Sequence, residues 1–429
     1  MITSPTWSGK RYAVLGLARS GRATAEALLA SGAEVLVWDD RAEAREAFVG
    51  RTAVADPLEA DLSGYAGVVV SPGVPLNTHP IARHAAKFAV PVIGDIELFA
   101  QARAGLPPHK VVGITGTNGK STTTALTHHI LKTAGVPATM GGNIGLPILE
   151  QESLPEGGVY VLELSSYQID LTYSLDCDVA VLLNITPDHL DRYESFEDYA
   201  ASKGRLFAMM SPDHFGLVSW SSKAALDQWP EDKDIGAIST EPFEDLLNRF
   251  PSLPGPHNLE NIAAAKYICN QLRIDEKAVR RGLETYPGLP HRMERVAEIG
   301  GVAWINDSKG TNTAATAPAL AAFDNIHWIV GGLAKEPGLG ECEAELGHVK
   351  AAYTIGKSGE DFARLLEGLV PVKRSERLER AVTDAAAAVE PGDTVLLSPA
   401  CASFDQFRDF EHRGEVFREA VAKLQEAAA

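Results

Sequence analysis

The sequence has few of the features that mark secreted, metal-binding or membrane-spanning proteins. Only four cysteines occur in 429 residues, and no two of them have the spacing of metal ligands. We therefore expect neither a disulfide framework nor a zinc site, and we expect a reducing compartment, the cytoplasm. No apolar run approaches the ~20 residues of a membrane span, and the first residues lack the cationic-then-apolar pattern of a secretory signal.

Positive charge is also scarce. The chain has 39 basic against 57 acidic residues, a formal net charge of -18. This balance argues against binding to nucleic acid or to an anionic membrane, since both require a positive surface. Small anionic ligands need only a local basic pocket and remain compatible with it. We expect small-molecule substrates and a monomer, and the length predicts about three domains of roughly 150 residues each.

One glycine-rich stretch, residues 111–124, has the order strand, loop, helix and reads VVGITGTNGKSTTT. Its glycines allow backbone N–H groups to surround a phosphate, and the helix N-terminus adds partial positive charge. Lys120 can reach the outer phosphates of a nucleoside triphosphate, and the Ser121 hydroxyl can bind Mg²⁺. Ile114 stands where the standard phosphate loop has glycine, so an ordinary glycine-rich turn is the alternative. The strand, the spaced glycines and the following helix together favour the triphosphate.

The N-terminal segment predicts a second nucleotide site. A strand at 12–15 is followed by Gly-x-Ala-x-x-Gly, a helix, and a strand that ends in Asp39 and Asp40. The pattern resembles a dinucleotide fingerprint in which Ala18 replaces the middle glycine. A diphosphate would lie on the helix N-terminus, and one of the two aspartates would contact a sugar hydroxyl. Because the missing glycine hinders close approach of a pyrophosphate, NAD(P) is disfavoured, and another nucleoside diphosphate is equally compatible.

Two apolar runs, 159–163 and 178–184, predict buried parallel strands that end in polar residues beside the phosphate loop. Glu163 ends the first run, and a carboxylate there suits Mg²⁺, with a structural ion pair as the alternative. His189, between two aspartates, can be a metal ligand, a base or a turn residue. Lys203 lies on an amphipathic helix, where a lysine usually faces solvent.

The C-terminal part repeats the strand–helix alternation. Apolar strands there end in glycine, serine or aspartate, and the loop 307–312 contains an acid, a cation and hydroxyls that suit a ribose and a phosphate. Cys401 has no recognisable His and Asn partners, which disfavours a nucleophile. We predict an α/β protein with three domains: a Rossmann-like nucleotide-binding domain at 1–98, a central phosphate-loop ATPase domain with a mostly parallel sheet at 99–291, and a Rossmann-like domain at 292–429.

Six motifs in this order resemble the ATP-dependent Mur ligases of peptidoglycan synthesis. They are residues 113–122 (GITGTNGKST), 162–168 (LELSSYQ), 184–192 (NITPDHLDR), 255–258 (GPHN), 307–312 (DSKGTN) and 398–407 (SPACASFDQF). The resemblance covers nearly the whole chain, and its last motif favours the branch that adds D-glutamate. It implies that ATP activates the carboxylate of UDP-N-acetylmuramoyl-L-alanine as an acyl phosphate, which the amine of D-glutamate then attacks.

The resemblance also implies roles for individual residues. The implied catalytic residues are Lys120, Glu163, His189 and Lys203. The implied ligands of two Mg²⁺ ions are Ser121, Glu163, His189 and Lys203, the last of them carbamylated. The implied ATP contacts are Gly116, Thr117, Asn118, Gly119, Lys120, Ser121, Thr122, Thr123, Asn261, Arg292, Asp307 and Lys309. The implied contacts to the UDP-linked substrate and to D-glutamate are Leu17, Asp40, Arg41, Ser71, Gly73, Asn143, Ser165, Gln168, His189, Thr311, Lys335, Ser403 and the backbone of Phe410.

The stretch before Lys335, GGLA, is less acidic than in some members of the family. The sequence around Lys335 therefore departs from the family pattern that assigns this lysine its role. Three other functions remain open from the sequence. They are a sister ligase that adds another amino acid or extends folates, a dinucleotide-dependent oxidoreductase built on the N-terminal segment, and a UDP-sugar-binding module without ATP turnover.

Overall fold

The structure is a computed structural model that describes residues 1–188, 191–230 and 232–428. His189, an implied metal and substrate ligand, lies outside the described residues. The chain divides into two compact units, Met1–Ser239 with Asn261–Glu284 and Thr240–Glu260 with Thr285–Ala429. Among the described residues, no helix is long and apolar enough to cross a membrane.

The first unit contains two sheets, and all their strand pairs are parallel. The first sheet has the order β3-β2-β1-β4-β5 and consists of β1 (Arg11–Leu15), β2 (Glu34–Trp38), β3 (Ala53–Val54), β4 (Tyr65–Val70) and β5 (Val92–Ile93). The second has the order β11-β10-β9-β6-β8-β7 and consists of β6 (His109–Thr115), β7 (Ala138–Gly142), β8 (Gly158–Glu163), β9 (Val179–Leu182), β10 (Phe215–Ser219) and β11 (Ile235–Ile238). Parallel strands place all their carboxyl ends at one edge, which is where each predicted ligand loop begins.

Helices lie between these strands and after the last of them in the chain. They are α1 (Arg19–Ala30), α2 (Ala42–Glu46), α3 (Ile81–Ala86), α4 (Asp95–Ala102), α5 (Lys120–Thr133), α6 (Ser166–Asp170), α7 (Phe196–Ala208) and α8 (Lys223–Leu226), followed later in the chain by α9 (Pro256–Gln271) and α10 (Glu276–Thr285).

The two sheets of the first unit share one hydrophobic core. Phe99, from the helix after the first sheet, packs edge-to-face on Tyr160 of the second sheet, with ring centres 5.0 Å apart. At the N-terminus, Trp7 is fully buried in the same core, and the Ile2 backbone N–H donates to the Leu149 carbonyl at 3.0 Å. This continuous apolar packing joins the first two predicted domains.

The second unit is built on one six-stranded sheet. The sheet has the order β12-β13-β17-β14-β15-β16 and consists of β12 (Glu294–Ile299), β13 (Val302–Asn306), β14 (Ile326–Gly331), β15 (Val349–Ile355), β16 (Val372–Glu376) and β17 (Thr394–Leu397). Only the edge pair β12–β13 is antiparallel. Helices α11 (Thr313–Leu320), α12 (Gly359–Leu366), α13 (Leu378–Ala386) and α14 (Phe410–Ala428) complete the unit.

The predicted fold class is confirmed, because the described residues form three mostly parallel α/β sheets in series. Each sheet falls within one predicted domain, while the domain limits at 98 and 291 remain predictions. The helix predicted after the phosphate loop begins at Lys120.

Candidate functional site

The phosphate loop, residues 113–120, connects β6 to α5. Gly119 has a φ of 82°, and a Cβ atom there would lie 2.4 Å from Oδ1 of Asn261, so only glycine fits. Asn261 also accepts a hydrogen bond from the Thr123 hydroxyl at 3.1 Å. The N-cap residue, Gly119, has no side chain that could cap α5. The backbone N–H groups in the first turn of a helix point toward its N-terminus, so those of α5 face the loop, as an anion site requires.

The segment after β9 holds this loop in shape. The backbone N–H of Thr117 donates to the Asn184 carbonyl at 2.7 Å, and the backbone N–H of Asn118 donates to Oδ1 of Asn184 at 2.8 Å. The Thr117 hydroxyl lies 3.1 Å from the Tyr199 hydroxyl. Asn184 belongs to one of the quoted motifs, but the sequence assigned it no role.

Two lysines converge on one carbonyl of the loop. Nζ of Lys120 donates to the Gly116 carbonyl at 2.8 Å, and Nζ of Lys203 donates to the same oxygen at 3.0 Å. Lys203 is only 2% exposed, so the interpretation of its helix position as solvent-facing is wrong. Burial, and then the charge of Lys120, lower its pKa well below the ordinary value. Its Nζ also lies 4.6 Å from the centre of the Tyr199 ring.

Glu163 ends β8, the strand next to β6, and is 2% exposed. Its Oε1 accepts a hydrogen bond from Nδ2 of Asn143 at 2.9 Å, whereas its Oε2 is buried without a hydrogen-bond partner among the described residues. A buried carboxylate oxygen is costly unless a donor or cation satisfies it. The oxygen-rich set of Glu163 and the buried Ser121 fits Mg²⁺. Within the described ranges, no three His, Cys, Asp or Glu side chains cluster as a metal site.

Ser165 and Gln168 form a capping box at the start of α6. The Ser165 hydroxyl accepts the backbone N–H of Gln168 at 3.3 Å, and Oε1 of Gln168 accepts the backbone N–H of Ser165 at 3.1 Å. These two implied substrate contacts thus have defined positions, next to Glu163 at the carboxyl end of β8.

The nucleotide turn, residues 16–21, connects β1 to α1. A Cβ atom on Gly21 would lie 1.7 Å from the Gly16 carbonyl oxygen, so this glycine permits close helix–strand packing. The backbone N–H of Leu17 donates to Oδ2 of Asp39 at 2.7 Å, and the Ser71 hydroxyl donates to the Gly16 carbonyl at 2.8 Å. No side chain caps α1.

Asp39, rather than the exposed Asp40, is the carboxylate of this turn. Arg41 donates from its backbone N–H and from Nε to Oδ1 of Asp39, at 3.0 and 3.1 Å. Burial alone would raise the pKa of Asp39, but the hydrogen bonds from Arg41 and Leu17 outweigh it and lower the pKa. Gly73 is exposed in the loop after β4.

In the second unit, the loop after β13 is held in place by its own residue Asp307. Asp307 is buried, and its carboxylate accepts the backbone N–H of Met293 at 3.1 Å and the Ser398 hydroxyl at 2.6 Å. Burial raises the pKa of Asp307 to about 7. Nζ of Lys309 lies 3.9 Å from the centre of the Phe410 ring. The structure therefore brings together the implied ATP contacts of this loop and an implied glutamate contact.

The other implied residues of this unit lie in neighbouring loops. Leu333 pairs with Ala402 through two backbone hydrogen bonds of 2.9 Å, which places the loop of the exposed Lys335 beside the loop of the buried Ser403. Thr311 and Arg292 are half-buried.

The buried Arg413 was missed by sequence reasoning. Its guanidinium donates to the Ser308 hydroxyl, the Ser308 carbonyl and the Cys401 carbonyl at 3.0, 2.7 and 3.0 Å. It thus joins two of the ligand loops. Burial raises the pKa of the Cys401 thiol to about 12, which agrees with the expectation that this residue is no nucleophile.

Comparisons with known proteins agree with these motifs. Two family models match: the Mur ligase middle domain over residues 114–244, and the Mur ligase, glutamate ligase domain over residues 291–401. A UDP-N-acetylmuramoylalanine--D-glutamate ligase of Novosphingobium aromaticivorans is 62% identical over 99% of this chain and 97% of its own length. A protein of the same name from Sphingopyxis alaskensis is 58% identical over 99% of this chain and 100% of its own length.

Solved structures show the same fold at lower identity. The UDP-N-acetylmuramate-alanine ligase of Thermotoga maritima is 18% identical with a TM-score of 0.60, over 97% of this chain and 99% of that one. A bifunctional folylpolyglutamate synthase/dihydrofolate synthase of Yersinia pestis, complexed with AMPPNP and manganese, is 20% identical with a TM-score of 0.54, over 77% of this chain and 93% of that one. The family models and the two relatives cover the phosphate loop, Glu163 and the loops of the second unit, and the chain belongs to the Mur ligase family.

Proposed function

We propose that the chain catalyses the ATP-dependent addition of D-glutamate to UDP-N-acetylmuramoyl-L-alanine, as the names of its relatives indicate for those proteins. The observation that carries the proposal is the pair of lysine side chains on the Gly116 carbonyl beside the N-terminus of α5. This arrangement suits phosphoryl transfer, which depends on positioning and on neutralising charge.

Two transfers make up the reaction. The terminal carboxylate of the UDP-linked substrate attacks the γ-phosphorus of ATP, and ADP leaves with the electrons of the broken P–O bond. The amine of D-glutamate then attacks the acyl phosphate, loses a proton and expels phosphate. The backbone N–H groups at the start of α5 hold the triphosphate, and Lys120, which the Gly116 and Thr117 carbonyls position in the structure, turns to the outer phosphates.

Mg²⁺ would be held by Ser121 and Glu163, and a second ion by His189 and a carbamylated Lys203. When bound, it neutralises charge on the phosphates. Glu163 supports this role through its buried Oε2, and Asn143 orients the carboxylate by binding Oε1. Lys203 supports it because a lysine of lowered pKa is more often neutral, the form that reacts with CO₂.

Substrate contacts follow from the positions of the motifs. In the first unit, the UDP group is held by Leu17, Asp40, Arg41, Ser71 and Gly73. The muramoyl-alanine part is held by Asn143, Ser165 and Gln168, and the adenine nucleotide contacts Asn261. In the second unit, ATP contacts Arg292, Asp307 and Lys309. D-glutamate is held by Thr311, Lys335, Ser403 and the backbone of Phe410. We propose further that the enzyme is a cytoplasmic monomer with domain limits at 98 and 291.

The test is phosphate release from ATP in the presence of UDP-N-acetylmuramoyl-L-alanine. We expect D-glutamate to stimulate release, and L-glutamate, L-lysine and meso-diaminopimelate to give little more than the background. Stronger stimulation by another amino acid would assign the chain to a sister ligase. Binding of UDP-sugar without ATP turnover, or of NAD(P) at the nucleotide turn, would overturn the proposal.

A further inference from the structure

Arg192 contacts two segments of the first unit: the loop after β4, a strand of the first sheet, and helix α6, which follows β8 of the second sheet. Its Nη2 donates to the Pro72 carbonyl at 3.3 Å and to the Val74 carbonyl at 3.1 Å, in the loop after β4. Its guanidinium carbon lies 4.4 Å from the centre of the Tyr167 ring, in the first turn of α6. A planar guanidinium can donate and stack at the same time, which an ammonium cannot.

The flanking residues of these contacts are the ones proposed for the substrate. Ser71 and Gly73 each immediately precede one of the residues, Pro72 and Val74, whose carbonyls Arg192 binds. Ser165 and Gln168 lie on either side of Tyr167 in the sequence. These two pairs are assigned to opposite ends of one ligand, the UDP group and the muramoyl-alanine part. Arg192 therefore lies between two half-sites of a single substrate.

A neighbouring contact fixes the same loop. Nδ2 of Asn77 donates to the carbonyl of Asp191 at 2.9 Å. The loop after β4 is thus held to residues 191–192 by three hydrogen bonds, two from Arg192 and one to Asp191. The Ser71 hydroxyl also anchors the start of this loop, on the Gly16 carbonyl, and Arg192 adds the contact that extends to α6 through Tyr167.

We propose that Arg192 is a positioning residue that sets the spacing between the two half-sites, a role that rests on the proposed function. A ligand that spans two sites gains affinity from the second only when their separation matches its length. Loss of Arg192 should therefore weaken the complete substrate more than a fragment that occupies one half-site.

The experiment compares the binding of UDP-N-acetylmuramoyl-L-alanine and of UDP alone by calorimetry. Arg192→Met keeps the apolar stem and removes the guanidinium, whereas Arg192→Lys keeps the charge and removes the planar fork. For both variants we expect the Kd of the complete substrate to rise about tenfold and that of UDP by less than about threefold, since only the linked half-site is lost. The KM for ATP should not change.

Arg205 provides a matched control. Its guanidinium carbon lies 5.5 Å from the Tyr173 ring centre, and it donates to the Asp170 and Thr172 carbonyls at 3.3 and 3.0 Å. These contacts resemble those of Arg192, but they avoid the loop after β4. Arg205→Met should lower the melting temperature and leave the ratio of the two Kd values unchanged.

Three other outcomes would each contradict either the role of Arg192 or the proposed function. An equal loss of affinity for UDP and for the complete substrate would make Arg192 a direct nucleotide contact instead of a positioning residue. Unchanged Kd values in folded Arg192 variants would remove the role altogether. Failure of the unaltered chain to bind either ligand would overturn the proposed function itself. Hydrogen exchange of residues 71–79 provides a ligand-free check, and it should increase in Arg192→Met and not in Arg205→Met.

Discussion

The nucleotide turn and the phosphate loop are built on the same plan and differ in the charge placed against them. Both follow a buried parallel strand, and both lead into a helix without a side-chain cap. At the nucleotide turn, a carboxylate, Asp39, accepts the Leu17 N–H. At the phosphate loop, two lysine side chains, those of Lys120 and Lys203, donate to the Gly116 carbonyl.

This difference separates two kinds of nucleotide recognition. A carboxylate close to a helix N-terminus partly offsets its positive potential and suits hydroxyl or base groups beside a diphosphate. At the phosphate loop, Lys120 increases the positive potential, which suits the charge of a triphosphate during transfer. Backbone geometry alone therefore provides an anion site, and the side chains around it determine which anion and which chemistry.

The largest effect is expected for Lys120. Because it is the cation of the phosphate loop itself, Lys120→Ala should lower the kcat for ADP formation by about 10²–10³, the cost of removing one preorganised donor. Lys132, an exposed lysine at the other end of α5, is the control, and Lys132→Ala should leave kcat unchanged. Binding of UDP should be normal in both variants. A Lys120→Ala variant with weakened UDP binding would show that the two turns are not independent.

Lys203 tests whether the second lysine acts as a cation or as a modified ligand. Lys203→Ala should lower kcat by about a hundredfold, and a short carboxylate such as acetate should partly restore it if the carbamate supplies an anionic oxygen. Bicarbonate labelled with ¹³C should give a carbamate signal in the unaltered chain and none in the variant. Full activity of Lys203→Ala would rule out the ligand role, and rescue by methylamine instead of acetate would favour a simple cation.

The comparison also shows what could be predicted from the sequence. The positions of both turns, of Glu163 and of the loop at Asp307 follow from apolar runs that end in polar residues, because local pattern determines where a buried strand stops. Strands β7, β10 and β11 were missed: β7 ends in consecutive glycines, and β10 and β11 each have a glycine at their second residue. The polar edge strand β12 was missed for lack of an apolar run.

Side-chain environments were harder to predict than positions. The helical pattern placed Lys203 toward solvent, but its Nζ is buried against the Gly116 carbonyl, 87 positions earlier in the chain. Asp39 and Asp40 are adjacent and chemically identical, and only the fold shows which of them meets the Leu17 N–H. Arg413 and Arg192 belong to no local pattern that would reveal their partners. Such roles depend on contacts between distant segments, which periodicity does not encode.

Glu163 lies beside the phosphate loop, and its Oε2 is a buried carboxylate oxygen without a hydrogen-bond partner among the described residues. Glu163→Gln should raise the Mg²⁺ concentration needed for half-maximal activity by about tenfold or more, since an amide is a weaker ligand for a hard cation. The exposed Glu150 provides the control substitution, Glu150→Gln, which should not shift the titration. An unchanged Mg²⁺ titration for Glu163→Gln would favour a structural role through Asn143.

The smallest effect is expected at the nucleotide turn. Asp39→Asn keeps an acceptor for the Leu17 N–H and loses the charge that faces Arg41, so the KM for the UDP-linked substrate should rise only about threefold, with kcat unchanged. A large fall in kcat would contradict the separation of the two turns, because the carboxylate would then influence phosphoryl transfer. Asp56→Asn, at another aspartate of the same domain that accepts a backbone N–H, serves as the control.

The pH dependence of stability tests the charge of Asp39 directly. Its pKa is lowered in the folded state, so the folded protein binds this proton less readily than the unfolded chain does. The ionised carboxylate therefore stabilises the fold above the ordinary aspartate pKa of about 3.9, and this contribution is lost as the pH falls through the lowered value. The melting temperature of Asp39→Asn should lie below that of the unaltered chain at neutral pH, and the gap should narrow as the medium becomes more acidic than that pKa. A gap that stayed constant with pH would mean that Asp39 stabilises the turn as a neutral hydrogen-bond acceptor, and the contrast in charge between the two turns would not contribute to stability.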